Sequence, residues 1–200
     1  MVRPRAGDYR YTVPRAWCRG RLMKEKHDMM SVTETTTLTA RGIRSAALAD
    51  RLEEGARALI QLASELSDQE WQMPLPGDGR TIGVVIHHVA SVYPVEIQLA
   101  QSVAAGQPIV GVTMADIHAM NARHATEHAT VTKAEAIALL VSNAAAAANA
   151  IRGLTDAQLA AAVPVSLYAN APLTCQFVLE DHAVRHSYHH ASRIRLALGR

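Results

Sequence analysis

Two hundred residues, 49% hydrophobic but only 4% aromatic, suit one helix-rich domain with a sizeable core. Alanine, the best helix former, carries much of the apolar share. The formal charge of +2 is uneven: residues 1–30 hold eight Lys/Arg against three Asp/Glu, a net of +5, so the remainder carries −3, which argues against nucleic-acid binding by the folded part.

Two cysteines, Cys18 and Cys175, make no disulfide framework. They fit a reducing, cytoplasmic compartment, with Cys175 as a buried small hydrophobe. The uncharged stretch 157–179 is broken by Pro164, Asn170 and Pro172, so no membrane span is expected.

Residues 1–36 read as an unstructured Arg-rich leader with Pro4, Pro14 and Gly20 and no helical period. It lacks the apolar stretch of a signal peptide. Met29 or Met30 is an alternative start, which would make the leader a start-site artefact. Residues 37–200 are expected to form one domain. Leu48, Leu52, Leu59, Leu62 and Leu66 fall on one stripe and predict a first helix over 38–66. A short turn follows at 67–71, then a loop set by Pro74, Pro76, Gly77 and Gly79.

Thr81 caps a second helix that runs to about residue 105, is kinked by Pro94 and stops at Gly106. His87 and His88 lie mid-helix about 100° apart, so only one is expected to face the core squarely. A short helix over 113–129 carries Asp116, Asn121, His124 and His128. Thr132 and Glu135 form a capping box for a third long helix ending at Gly153, whose alanines at 144–148 should pack closely on a neighbour. Residues 155–158 open a short helical turn, 164–172 read as loop, and a fourth long helix spans about 173–198. Four long helices with one apolar face each predict an all-α four-helix bundle.

Four of the ten histidines fall within residues 180–195, and His182, His186 and His190 recur every fourth residue. On a helix, residues four apart share a face, and two imidazoles at that spacing can bind one metal ion. His186 and His190 would give two nitrogens and His88 or His87 a third, leaving a tetrahedral ion one open position. Zinc, nickel and ferrous iron all accept imidazole. His182 is the candidate for a fourth ligand that would close the site; otherwise it and His189 are expected beside the site or facing solvent. His118, His124 and His128 are expected at the surface or beside the site. Glu180 and Asp181 are expected in exposed first turns.

Thr81-Ile-Gly-Val-Val-Ile-His-His-Val-Ala resembles the second-helix signature of DinB-like proteins. There a Trp, a polar loop and a Ser/Thr-x-Gly-x-x-x-x-His-x-Ala stretch lead to a metal-binding His; here Trp71 stands before the loop. His186-Ser-Tyr-His-His190-Ala-Ser-Arg-Ile resembles the last-helix stretch of that family, with Ala-Ser-Arg at 191–193 where many members have Arg-Gly-Gln. Asp116, Asn121-Ala122 and the Thr-Lys-Ala-Glu capping box resemble its actinobacterial branch.

The resemblance implies a DinB/YfiT-like four-helix bundle with metal ligands at His88, His186 and His190. His88 is favoured over His87 because it precedes the Val-Ala pair. Relatives include bacillithiol-dependent S-transferases and mycothiol-dependent maleylpyruvate isomerases. The implied function is a metal-dependent thiol S-transferase or isomerase acting on small electrophiles, with zinc first among the metals, nickel or iron as alternatives, and a low-molecular-weight thiol such as mycothiol as co-substrate. Arg193, Arg195 or His124 would hold an anionic group. The alternatives are a metal-dependent hydrolase and a non-catalytic, metal-binding, dimerising stress protein. A small-molecule substrate and a homodimer are expected, without nucleic-acid or membrane partners.

Overall fold

The computed structural model describes residues 42–200. The leader expected over 1–36, Cys18 and the first turn expected at 38–41 lie outside the described residues. The first helix, α1, is Ile43–Glu65, and it buries Leu48, Leu52, Leu59 and Leu62 as their spacing requires. Its Cβ-less Gly55 lets the ring of Tyr188 approach closely. The predicted turn at 67–71 is a short helix, α2, Asp68–Trp71, opened by a Ser67–Glu70 capping box.

The second long helix, α3, is Ile82–Ala104, with the Thr81 hydroxyl accepting from the Val84 N–H. Gly83 has a packing reason: a Cβ there would lie 2.3 Å from the indole of Trp71. That indole donates to the Val131 carbonyl at 3.0 Å. The Trp and the Thr-x-Gly stretch, separate in sequence, are thus one contact. Pro94 sits inside α3 without ending it. A proline cannot donate to the carbonyl four residues back, here Ala90. Asn143 Nδ2 fills that role, donating to the Ala90 oxygen at 2.9 Å. Asn143→Ala should cost about 1–3 kcal/mol by leaving a buried carbonyl unpartnered, read as a lower urea midpoint. Adding Pro94→Ala restores the N–H and should recover much of the loss; a double variant no more stable than Asn143→Ala would contradict this account.

A shorter helix, α4, spans Met114–Glu127 and buries none of its residues fully. The third long helix, α5, is Lys133–Arg152, with the Thr132–Glu135 capping box in place. Ala144, Ala147 and Ala148 are buried and bring α5 close to its neighbours. After α6, Asp156–Ala160, the chain departs from the predicted loop at 164–172. It forms an antiparallel hairpin, β1 Ala162–Val165 and β2 Ala171–Thr174. Pro164 stands opposite Pro172, a pairing that works only where the ladder does not call on either residue's missing N–H.

The last helical run begins at Cys175 rather than 173: α7 Cys175–Leu179, a π turn Glu180–Val184, and α8 Arg185–Ala197. Cys175 is buried, as expected. The helices α1, α3, α5 and the α7–α8 run make the bundle. Helix α5 packs on α1 and α3, the last run packs on both from the other side, and α4 lies outside against α3. Tyr93 on α3 and Ser187 on α8 share a buried hydrogen bond of 2.7 Å. Both α3 and α5 are long and apolar enough to cross a bilayer by length and composition. In α3 most of that apolar length is buried among the other helices.

Candidate metal centre

His87 and His88 are both buried, at 7% and 5% exposure. The expectation that only one could turn inward fails because each has its own helix to face. Their directions differ by about 100°. His88 meets α8, where His186 and His190 stand one turn apart; its ring centroid lies 5.2 Å from His186 and 5.8 Å from His190. His87 meets the end of α4, where His124 stands in the last turn and His128 is the residue that caps it.

One nitrogen from each of His88, His186 and His190 lies within 4.8 Å of the other two. Bonds of 2.0–2.1 Å to a tetrahedral ion put ligand nitrogens about 3.3 Å apart, so small ring rotations close the set. The residues fit such an ion on two further counts. His190 Nδ1 is buried without a hydrogen-bond partner, which buried polar atoms rarely tolerate. His186 Nδ1 is held by Glu96 Oε1 at 2.5 Å, which leaves Nε2 to face the other rings. A carboxylate behind a histidine fixes tautomer and ring orientation at metal sites.

Burial, with a smaller contribution from His186, pushes His88 down to about 3 and His190 down to about 2. Both rings are therefore neutral at pH 7, with a lone pair available. In the unfolded chain a histidine titrates near 6.5, so between those values the unfolded state binds more protons. The metal-free chain should keep its full stability above pH 6.5 or so and lose it as pH falls from there toward about 3. Urea midpoints at pH 7.5 and pH 5 test this; equal midpoints would contradict it.

A cavity of about 710 Å³ opens onto the three rings. Its walls are mostly apolar: Val92, Val95 and Leu99 from α3, Met114, Ile117 and Met120 from α4, and Ile109, Val112 and Leu167 from the connections. Its polar side is an ion-pair network. Asp78 accepts from Arg80 at 2.5 and 3.0 Å and from Arg193 at 3.1 Å. Arg193 also donates to the Pro76 carbonyl at 3.3 Å, fastening the loop to α8. The hydrogen bonds from Arg80, then the charges of both arginines, hold Asp78 down to about 2 against its burial. Arg80 Nη1 is buried and unpartnered.

Of the groups expected to hold an anion, Arg193 lines the cavity. Arg195 is exposed, and His124 faces His87 at 2.9 Å. His182 lines the cavity but lies outside the converged set, with its Nε2 3.2 Å from the Tyr168 hydroxyl. The π turn that contains it breaks the four-residue period on which stacking beneath His186 depends. His118 and His189 are exposed, Glu180 bonds Arg51, and Asp181 bonds Arg185 and Tyr168.

Glu96 escaped the reading of the sequence, yet it is the one acidic or basic residue in α3 apart from histidine, eight residues after His88 and so about 80° round the helix from it. Arg80 and Asp78 also escaped it, because their partner Arg193 lies more than a hundred residues away.

A four-helix bundle that sets an i, i+4 histidine pair on one helix against a histidine on another belongs to a class of all-helical proteins suited to holding a divalent ion. The model of the DinB superfamily matches residues 51–194, and the chain belongs to that superfamily. Its fold is similar to that of YfiT from Bacillus subtilis, described as a probable metal-dependent hydrolase with an unusual four-helix bundle topology. The two share 19% identity and a TM-score of 0.62 over 88% of this chain and 94% of that one. None of the curated proteins matches the sequence.

Proposed function

We propose that the chain is a metal-dependent enzyme that transfers a low-molecular-weight thiol, such as mycothiol, onto a small apolar electrophile. One observation carries the reading: Glu96, which has a buried carboxylate oxygen without a partner, Oε2, lines a cavity shared with three converging imidazoles. His88, His186 and His190 would hold a divalent ion, zinc first and nickel or iron as alternatives, and that ion would supply Lewis acidity at its open position. The chain's own residues do the rest. Glu96 Oε2 accepts the proton of the thiol S–H. The sulfur then bonds to the electrophilic carbon, and the leaving group departs with the bonding electron pair. Arg80 and Arg193 face the cavity as cations for a carboxylate on either reactant. The apolar walls exclude water, and about 710 Å³ lies well within the range of sites that enclose organic ligands.

Hydrolysis is the second reading, because Glu96 Oε2 could equally accept a proton from water, and the structural relative is described as a probable hydrolase. Mass spectrometry of metal-loaded protein incubated with an aryl halide, with and without a panel of small thiols, separates the two. Thiol-dependent conjugate above the uncatalysed rate supports S-transfer. Turnover of aryl esters without thiol supports hydrolysis. Conjugate formation at the same rate in a Glu96→Gln variant would overturn the role given to Glu96.

A further inference from the structure

The second histidine triad, outside the site above, has the same construction turned to the other side of α3. His87 projects toward α4 and meets His124 and His128, an i, i+4 pair. The ring centroids lie 5.1, 4.1 and 4.7 Å apart. One nitrogen from each lies within 4.8 Å of the others. His87 Nδ1 and His124 Nε2 are already 2.9 Å apart, close to the separation of about 3.3 Å that a tetrahedral ion imposes on two imidazole nitrogens. The other nitrogen of His124 is buried without a partner. At 2.9 Å His87 Nδ1 and His124 Nε2 share one proton in an N–H···N hydrogen bond, and a divalent ion would replace that proton as the group that joins the rings.

We propose that His87, His124 and His128 form a second site for an imidazole-accepting divalent ion, zinc in the first instance, and that this ion fastens α4 to the bundle. Helix α4 buries none of its residues fully, yet its Met114, Ile117 and Met120 form one wall of the cavity. Its packing alone leaves that wall among the parts of the fold that open most easily. An ion held by one ligand from α3, one from α4 and one from the residue that caps α4 ties the wall in place. The site stands on its own geometry and does not depend on the reading of the first site.

The test uses the full-length, untagged chain, stripped with chelator and dialysed against zinc. Elemental analysis should find two equivalents per chain in the wild type, one in His124→Ala, one in His186→Ala, and none in the double variant. His128→Ala, at the half-exposed end of α4, should also bind one, and it truncates nothing in the core. Hydrogen exchange adds a readout that separates the sites. At zinc 100 times its dissociation constant, exchange through opening of α4 should slow by about 100-fold in the wild type and in His186→Ala, but not in His124→Ala or His128→Ala. Zinc content in both α4 variants equal to that of the wild type, or zinc-independent exchange in α4, would overturn the proposal.

Discussion

Replacing Glu96 by glutamine is expected to cut turnover by about 10²–10⁴-fold, the usual contribution of a positioned general base, while the metal stays bound. The two carboxylate oxygens have separate tasks. Oε1 accepts from His186 Nδ1 at 2.5 Å, whereas Oε2 is buried and free. A glutamine keeps a carbonyl oxygen for His186 and so keeps the ring oriented, but it cannot take a proton. Glu96→Ala removes both functions. It should lose metal affinity by about 10–100-fold, as removal of a partner behind a ligating histidine does, on top of the lost turnover. The comparison is made by equilibrium dialysis and steady-state rates on the same preparations. A glutamine variant with full activity would assign Glu96 to orientation alone.

Replacing Asp78 by alanine is expected to be the most destabilising single change at the site, by about 3–5 kcal/mol, the cost of stranding a buried charge without its partner. Asp78 is 8% exposed at its side chain, and Arg80 is 15% exposed. Arg80 already has one buried nitrogen without a partner, so it has no substitute acceptor at hand. Arg193 would lose its hold on the loop as well, keeping only the Pro76 carbonyl. Urea unfolding gives the stability term. A loss below about 1 kcal/mol, typical of exposed ion pairs, would mean that water replaces the carboxylate there.

Local chemistry made the long helices legible. Thr81, the Thr132–Glu135 box and the leucine stripe of α1 each act within a few residues, and the observed helices begin and end close to where those signals fall. The i, i+4 spacing of His186 and His190 made a pair on one face foreseeable, and a third ring from His88 or His87 followed from a bundle. Non-local geometry hid the rest. Pro164 and Pro172 read as breakers one at a time, and only their pairing across a hairpin makes both tolerable. The π turn at Glu180–Val184 leaves no mark in a regular histidine repeat, yet it removes His182 from the stack. The kink expected at Pro94 was half of a pair whose other half, Asn143, sits on another helix. The choice between His88 and His87 stayed open in the sequence, because only the placement of α4 gives His87 a second face to meet.

The proposed site for a divalent ion, His88, His186 and His190, opens onto the cavity. Anomalous diffraction from crystals of the zinc- or nickel-loaded protein, recorded across the metal edge, tests it most directly. A peak is expected about 2.0–2.1 Å from one nitrogen of each of the three rings, absent in crystals of His88→Ala. No peak among those rings after loading with either metal would contradict it and would leave the three imidazoles as a polar patch in the wall of an apolar pocket.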